Sequence, residues 1–255
     1  MREAKQKTAR KVAVKGRIAV VGSSVAIVCL TTWMTFVAAT TTVKRIDVVG
    51  SHHAKIAEVI AISGIAVGDT LFITDPSIIA DRVRRHSWIK EVSVTRWITG
   101  KLHIEIEERE PVALAIDERG GPAFYLDSSG VVMPVDTLAR YDVPLIRGVT
   151  GMRGVDGHRI ADASIREILA ALAAVMPGTD ALISDVIALE TGGMTLKTVP
   201  TESGKCPDVR LGEGDYRRKL QILSAFWDQA VVGHTNKEFN TIDLRFSGQV
   251  ITRET

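Results

Sequence analysis

Cysteine is nearly absent from this chain of 255 residues: Cys29 lies inside an uncharged apolar run and Cys206 lies far along the remainder. No disulfide framework follows from that pair, so the fold must form without disulfides. Nor does a cysteine cluster join the six histidines, His52, His53, His86, His103, His158 and His234, at zinc-ligand spacing. The adjacent His52 and His53 offer two ligands where a tight site needs three or four, and they read as a solvated turn leading into a helix. Gly212-Glu213-Gly214 lacks the Gly-Lys-Ser/Thr completion of a phosphate loop and reads as a lead-in to a helix. Ser128-Ser129 has neither a nucleophile elbow nor an identifiable partner histidine, which leaves turn chemistry. Glu105 and Glu107 fall on the polar side of a strand pattern, Glu108 and Glu110 at its exit, and a solvated face accounts for all four. No catalytic constellation, metal site, cofactor or small-molecule substrate is expected, with an unrecognised envelope hydrolase kept as a distant alternative because triads assemble from distant residues.

A uniform excess of positive charge is missing too. The net charge is +2, but Arg2, Lys5, Lys7, Arg10, Lys11, Lys15 and Arg17 against Glu3 put +6 into residues 1–17 and leave −4 for the rest. That distribution excludes a nucleic-acid surface and describes a basic tail. From Ile18 to Ala39 there follow 22 residues without a charge, a helix of about 33 Å and so long enough to span a bilayer. Its hydroxyl residues Ser23, Ser24, Thr31, Thr32 and Thr35 can bond back to helix carbonyls, and Trp33 and Phe36 suit an interface. Residues 1–17 are read as a cytoplasmic tail, 18–39 as a single transmembrane helix, and everything after it as extracytoplasmic. A cleaved signal peptide ending at Val37-Ala38-Ala39 is the alternative, though cleavable apolar regions are usually about 7–15 residues.

After the anchor, Lys44 to Gly50 has strand character. His53 to Ser63, with Ile56, Val59 and Ile60 on one face and Gly64 as its stop, predicts a short helix. Asp75-Pro76 caps a second helix carrying Ile78, Ile79 and Val83. Two alternating strands follow, around Val92 and Val94 and then Leu102, Ile104 and Ile106, joined by Trp97-Ile98-Thr99-Gly100. The order strand, helix, helix, strand, strand over 43–111 makes a compact unit with two helices covering one sheet face.

Residues 112–255 predict a second α+β domain rich in strands, with an extended antiparallel sheet. Asp127-Ser128-Ser129-Gly130 marks one hairpin and Gly192-Gly193 another; Pro134 and Pro144 end strands. Helices are expected over Ser164 to Met176, stopped by Pro177-Gly178, and over Asp215 to Val232. The segment Phe239 to Arg253, where Ile242, Leu244 and Phe246 alternate with Asp243, Arg245 and Ser247, predicts one extended closing strand.

Several of these stretches resemble the FtsQ/DivIB bacterial cell-division family. Lys44-Arg45-Ile46-Asp47-Val48-Val49-Gly50, Ser87 to Trp97, and Leu102 through Glu108-Arg109-Glu110-Pro111-Val112-Ala113 are similar to its POTRA domain, with Ile98 where the family often has proline. Asp127 to Val132, Leu145-Ile146-Arg147-Gly148, Val209-Arg210-Leu211-Gly212 and Ile242-Asp243-Leu244-Arg245-Phe246 follow in the family's order. The resemblance implies a non-enzymatic adaptor of the plasma (inner) membrane at the division septum, binding FtsB- and FtsL-like membrane proteins by strand addition. It also implies a partner-binding site at Arg245, Phe246, Ser247 and Gly248, with Arg245 meeting a partner carboxylate. Phe246 stands where the family commonly has tyrosine; the alternation with Leu244 leaves open that it fills the core instead. A POTRA-bearing outer-membrane secretion or assembly protein is the competing class, but it requires barrel strands that 112–255 do not show.

Overall fold

The structure, a computed structural model, describes residues 22–37, 39–116, 123–135, 141–149, 157–175, 182–190, 192–200, 204–231 and 239–254. The basic tail, Ile18 to Val21, the Pro177-Gly178 stop and His234 lie outside them. Residues 22–37 and 39–40 are helical, with threonine hydroxyls donating to carbonyls one turn back, as Thr32 does to Val28 at 2.8 Å. Among the described residues no helix is long and apolar enough to cross a membrane; the span expected over Ile18–Ala39 falls partly outside those residues.

The chain forms two compact units. The first takes in residues up to Gly50, Lys55–Val83 and Val92–Ile106; the second takes in Ser51–Ala54, Arg84–Glu91 and everything from Glu107.

The first unit is built on β1 (Arg45–Val49), α1 (Ile56–Ser63), α2 (Pro76–Val83), β2 (Ile89–Trp97) and β3 (Lys101–Glu108), in the sheet order β1-β3-β2. β1 runs parallel to β3, with Ile46 opposite Leu102 and Val48 opposite Ile104. Val59 of α1, Ile79 and Val83 of α2, and Leu102 and Ile104 of β3 are buried. Helix α1 stops where expected. Gly64 adopts the left-handed conformation at φ 68° and its N–H donates to Ala61 O, a geometry that a residue with a Cβ resists. Asp75 opens α2 by accepting from the Ser77 N–H at 2.8 Å.

The second unit carries a nine-stranded sheet in the order β12-β11-β10-β9-β8-β7-β4-β5-β6. Its strands are β4 (Pro111–Ala115), β5 (Phe124–Asp127), β6 (Val132–Pro134), β7 (Leu145–Arg147), β8 (Ile183–Ala188), β9 (Met194–Thr198), β10 (Asp208–Gly212), β11 (Phe239–Asp243) and β12 (Ile251–Glu254). The sheet is mixed, which corrects the antiparallel expectation: β4–β7, β7–β8 and β10–β11 are parallel pairs. For β4–β7 the chain passes through the β5–β6 hairpin, and for the other two pairs the cause is a helix. α3 (Ala163–Val175) lies between β7 and β8 in the chain, and α4 (Tyr216–Phe226), continued by a π-turn over Trp227–Val231, lies between β10 and β11. A helical crossover returns the chain in the same direction, whereas a tight turn reverses it. Pro144 also proves to precede a strand, β7, and Pro134 is the last residue of β6.

One core runs along one sheet face, gathering Ile146, Val186, Leu196, Val209 and Ile242 with Ile165, Ile168 and Leu169 of α3 and Leu220 and Leu223 of α4. β5 departs from alternation because all four of its residues are buried. Phe124 and Leu126 join that core, while Tyr125 packs on the other face with Trp88 and Met133. Asp127 is buried at its end, accepting from Ser129 N, Val131 N and Arg109 Nη1 at 2.9, 2.8 and 2.6 Å, which fixes the hairpin that Asp127-Ser128-Ser129-Gly130 predicted.

Glu108 is not solvated. Its carboxylate accepts the backbone N–H groups of His52, His53 and Ala54 at 2.8, 2.9 and 3.0 Å and meets His53 Nδ1 at 2.8 Å. Because a carboxylate only accepts, the His53 ring donates from Nδ1, and its Nε2 lies 2.8 Å from the Tyr141 hydroxyl. Trp88 stacks on that ring with centroids 4.4 Å apart. These bonds hold 52–54 out of helical geometry, which is why α1 begins at Ile56 and not at His53.

Burial disfavours the Glu108 carboxylate, but the donors from Ala54, His53 and His52 outweigh it and hold its pKa below the ordinary value. A group whose folded pKa is depressed contributes stability above its unfolded pKa, and that stability is lost as pH falls through the folded value. The urea midpoint is therefore expected to drop as pH falls below about 4.3, the unfolded glutamate value. Glu108→Gln should lower stability at pH 7 by about 1–3 kcal/mol and flatten the acid limb. An unchanged acid limb would show that Glu108 does not carry it.

Candidate functional site

A sheet that does not close into a barrel leaves two edges, and the second unit treats its two edges differently. At β6 the neighbouring segment 157–160 takes up the outer backbone groups. Val132 N donates to His158 O at 2.9 Å, Gly157 N to Val132 O at 2.8 Å and Ile160 N to Gly130 O at 2.8 Å. At the opposite edge the outermost strand is β12, and among the described residues no strand lies beyond it.

β12 is where the structure departs most from the expected single strand over Phe239–Arg253. The chain pairs as β11 only to Asp243, turns through residues 244–250, and returns antiparallel as β12, with Ile242 opposite Thr252 and Asp243 opposite Ile251. β11 is thus an interior strand between β10 and β12. Ser247-Gly248 was the legible signal for the reversal, being a turn dipeptide with Gly248 at φ 75°; the alternation around it concealed it.

Arg245, Phe246, Ser247 and Gly248 consequently sit together in the exposed turn that leads into β12. Asp243, buried at the end of β11, organises this turn. It accepts from Arg245 Nη2 at 2.6 Å, Arg245 Nε at 2.9 Å and the Arg245 backbone N–H at 3.1 Å. The hydrogen bond from the Arg245 side chain, against the opposing effect of burial, holds the Asp243 carboxyl below its usual range. Arg245 was expected to meet a carboxylate of a partner; its guanidinium already has one within this chain, and it lies 5.7 Å from the centre of the Phe246 ring. Phe246 is 52% exposed and Leu244 3%, so the alternation ends at Leu244 and Phe246 does not fill the core. Among the described residues no group of three or more potential ligands could hold a metal ion, and His53 spends both ring nitrogens on Glu108 and Tyr141.

Comparison with known proteins separates the competing classes. The profile of the POTRA domain, FtsQ-type, matches residues 41–109, and that of FtsQ/DivIB, C-terminal related, matches 110–253. The chain is 40% identical over 242 residues to the cell division protein FtsQ of Rhodothermus marinus, covering 93% of this chain and 86% of that one. It is 37% identical over 218 residues to that of Salinibacter ruber, covering 84% and 83%.

The chain belongs to the FtsQ/DivIB family of cell-division proteins.

Both halves match in one order, so the POTRA unit here belongs to an FtsQ-type protein and not to an outer-membrane assembly protein. The extracytoplasmic domain of DivIB from Geobacillus stearothermophilus aligns at a TM-score of 0.29 and 17% identity, covering 49% of this chain and 98% of that one.

Exposure of Phe246 has a direct consequence. Phe246→Ala is expected to leave thermal unfolding within about 0.5 kcal/mol of the parent, as surface substitutions do. Ile242→Ala, in the buried interior of β11, should cost about 2–5 kcal/mol. Equal destabilisation by the two would place Phe246 in the core.

Proposed function

We propose that this FtsQ-type protein is a non-enzymatic divisome adaptor held in the plasma membrane by residues 18–39, with residues 1–17 cytoplasmic and the POTRA and carboxyl-terminal regions extracytoplasmic. It binds FtsB- and FtsL-like membrane proteins at the division septum, and the partner segment adds as a further strand on β12 beside the turn of Arg245, Phe246, Ser247 and Gly248. The observation that carries this reading is the position of β12 as the outermost strand of a nine-stranded sheet. An edge strand offers a row of backbone donors and acceptors to an extended segment, and the side chains beside it choose the partner. Phe246 and Ile251, 52% and 47% exposed, supply apolar contact area there. The anchor rests on the uncharged run after the basic tail.

Placing a photocrosslinking residue at Phe246 or Ile251 of the full-length protein in dividing cells tests the site: adducts with FtsB- or FtsL-like proteins are expected. Crosslinks to those partners only from positions on other strands would remove β12 from the interface.

Successive residues of a strand aim their N–H groups to opposite sides. Of Ile251→Pro and Thr252→Pro, one removes a ladder bond to β11 and the other an outward donor. The second is expected to keep the unfolding midpoint and lose partner capture. If both variants track stability and binding together, strand addition at β12 is wrong.

Orientation is read separately. Cys206 is exposed, so with Cys29→Ser an impermeant thiol reagent should label it from outside in intact cells once any outer membrane is opened. Labelling only after lysis would reverse the topology.

A further inference from the structure

Apolar side chains are left in solvent at one end of the first unit, the end onto which the leading helical stretch runs. That stretch ends at residue 40, and the residues that follow are tied at once into two loops. Leu71 N donates to Thr41 O at 2.9 Å, Val43 N to Asp69 O at 2.8 Å and Gly68 N to Val43 O at 2.8 Å; Lys44 N donates to Gly100 O at 2.8 Å. Arg96 links the two loops by donating to Thr74 O at 2.9 Å and lying over the Phe72 ring. The loop 66–74 and the β2–β3 turn are therefore both fixed against the start of the domain. What they carry outward is apolar: Ile73 is 79% exposed, Ile98 76%, Val67 66% and Trp97 54%. Three large apolar side chains on two loops, with Trp97 at the strand end beside one of them, are an anomaly where polar groups ordinarily face water.

The leading stretch shares this character, with Val28, Leu30, Trp33, Met34 and Phe36 all exposed and no charge between residues 18 and 39. One medium suits both sets, because the helix delivers the loops to the place where it leaves that medium itself.

We propose that Val67, Ile73, Trp97 and Ile98 form a membrane-contacting plate that rests at the headgroup level of the bilayer, so that the POTRA unit is seated on the lipid and not merely tethered to it. This rests on the reading that residues 18–39 are a membrane anchor. A tryptophan beside aliphatic tips suits the depth where apolar surface meets headgroups. The contact is apolar in its largest part: the nearby cations Lys101 and Arg45 share the one carboxylate of Asp47 at 2.8 and 3.3 Å, and the positive remainder, with Lys44 beside Gly100, adds only an attraction that salt screens. The apolar part therefore survives high salt, unlike attraction to anionic lipid.

The full-length chain carrying Cys29→Ser and Cys206→Ser is reconstituted into vesicles of phosphatidylethanolamine and phosphatidylglycerol. Single cysteines at Ile98, Ile73, Val49 and Val28 bear an environment-sensitive fluorophore, and nitroxide lipids act as quenchers. Val49 is the internal ruler. It is exposed, lies in the same unit, and stands four residues up β1 from Arg45, about 13 Å away. Ile98 and Ile73 are expected to show blue-shifted emission and a severalfold greater quenching than Val49, retained in high salt. In an Ile73→Ser, Trp97→Ser background, quenching at Ile98 should fall to the Val49 level while the protein still floats with the vesicles. Quenching at Val28 with Ile98 equal to Val49 would overturn the plate and keep the anchor. Failure to float, with Val28 unquenched, would overturn the anchor reading and the plate together.

Discussion

An open sheet has to end somewhere, and the ends of this one govern what the second unit can do. Backbone N–H and C=O groups at a sheet edge are strong, directional and repeated at the spacing of another strand. At β6 the segment 157–160 satisfies them from within the chain; at β12 no described strand does. The asymmetry does not depend on side-chain identity. Such an edge offers an extended segment a ready backbone template.

Everything upstream in the unit keeps that edge in register. The two helices α3 and α4 cover one face and supply the apolar mass against which β7 to β11 pack. Since β11 lies between β10 and β12, the buried Ile242 and Leu244 fix the strand that in turn templates β12. Phe239 extends this hold by meeting Phe226 edge-on at 5.4 Å between ring centres. The edge is thus presented by a packed core, although β12 itself contributes little to it.

Periodicity and turn chemistry made most of the elements legible. The strand, helix, helix, strand, strand order of the first unit follows from alternation, from Gly64 and from Asp75-Pro76, all of which act within a few residues. The hairpins at Asp127 to Gly130 and at Gly192-Gly193 were legible for the same reason. What failed depends on distant residues. Strand direction in the larger sheet was misjudged because a helix read in isolation does not say which strands it joins. β5 loses its alternation only because Trp88, remote in sequence, covers its second face beside Tyr125. Glu108 reads as solvated in sequence because three of its neighbours are acidic, yet its donors come from residues 52–54, more than fifty positions away. At the chain's end, alternation ran through Ser247-Gly248 and hid a reversal that the dipeptide by itself announces.

If a partner strand adds at β12 as proposed, the shortness of β12 constrains how it is recognised. Four residues, Ile251 to Glu254, give an added strand about two outward-facing residues to bond with, since alternate residues point inward. Net contributions of about 1 kcal/mol per hydrogen bond then fall well below what a stable complex requires, about 8 kcal/mol for micromolar binding. The difference has to come from apolar contact and from neighbouring surface, and Phe246 and Ile251 are the exposed apolar groups at the turn and the strand. A short edge with Arg253 and Glu254 on it also resists pairing with a second copy of itself, because too few backbone bonds form to order two strands. In the proposed strand addition, selectivity would then reside in the turn that Asp243 and Arg245 brace, with the backbone of β12 setting the register in which that turn is read.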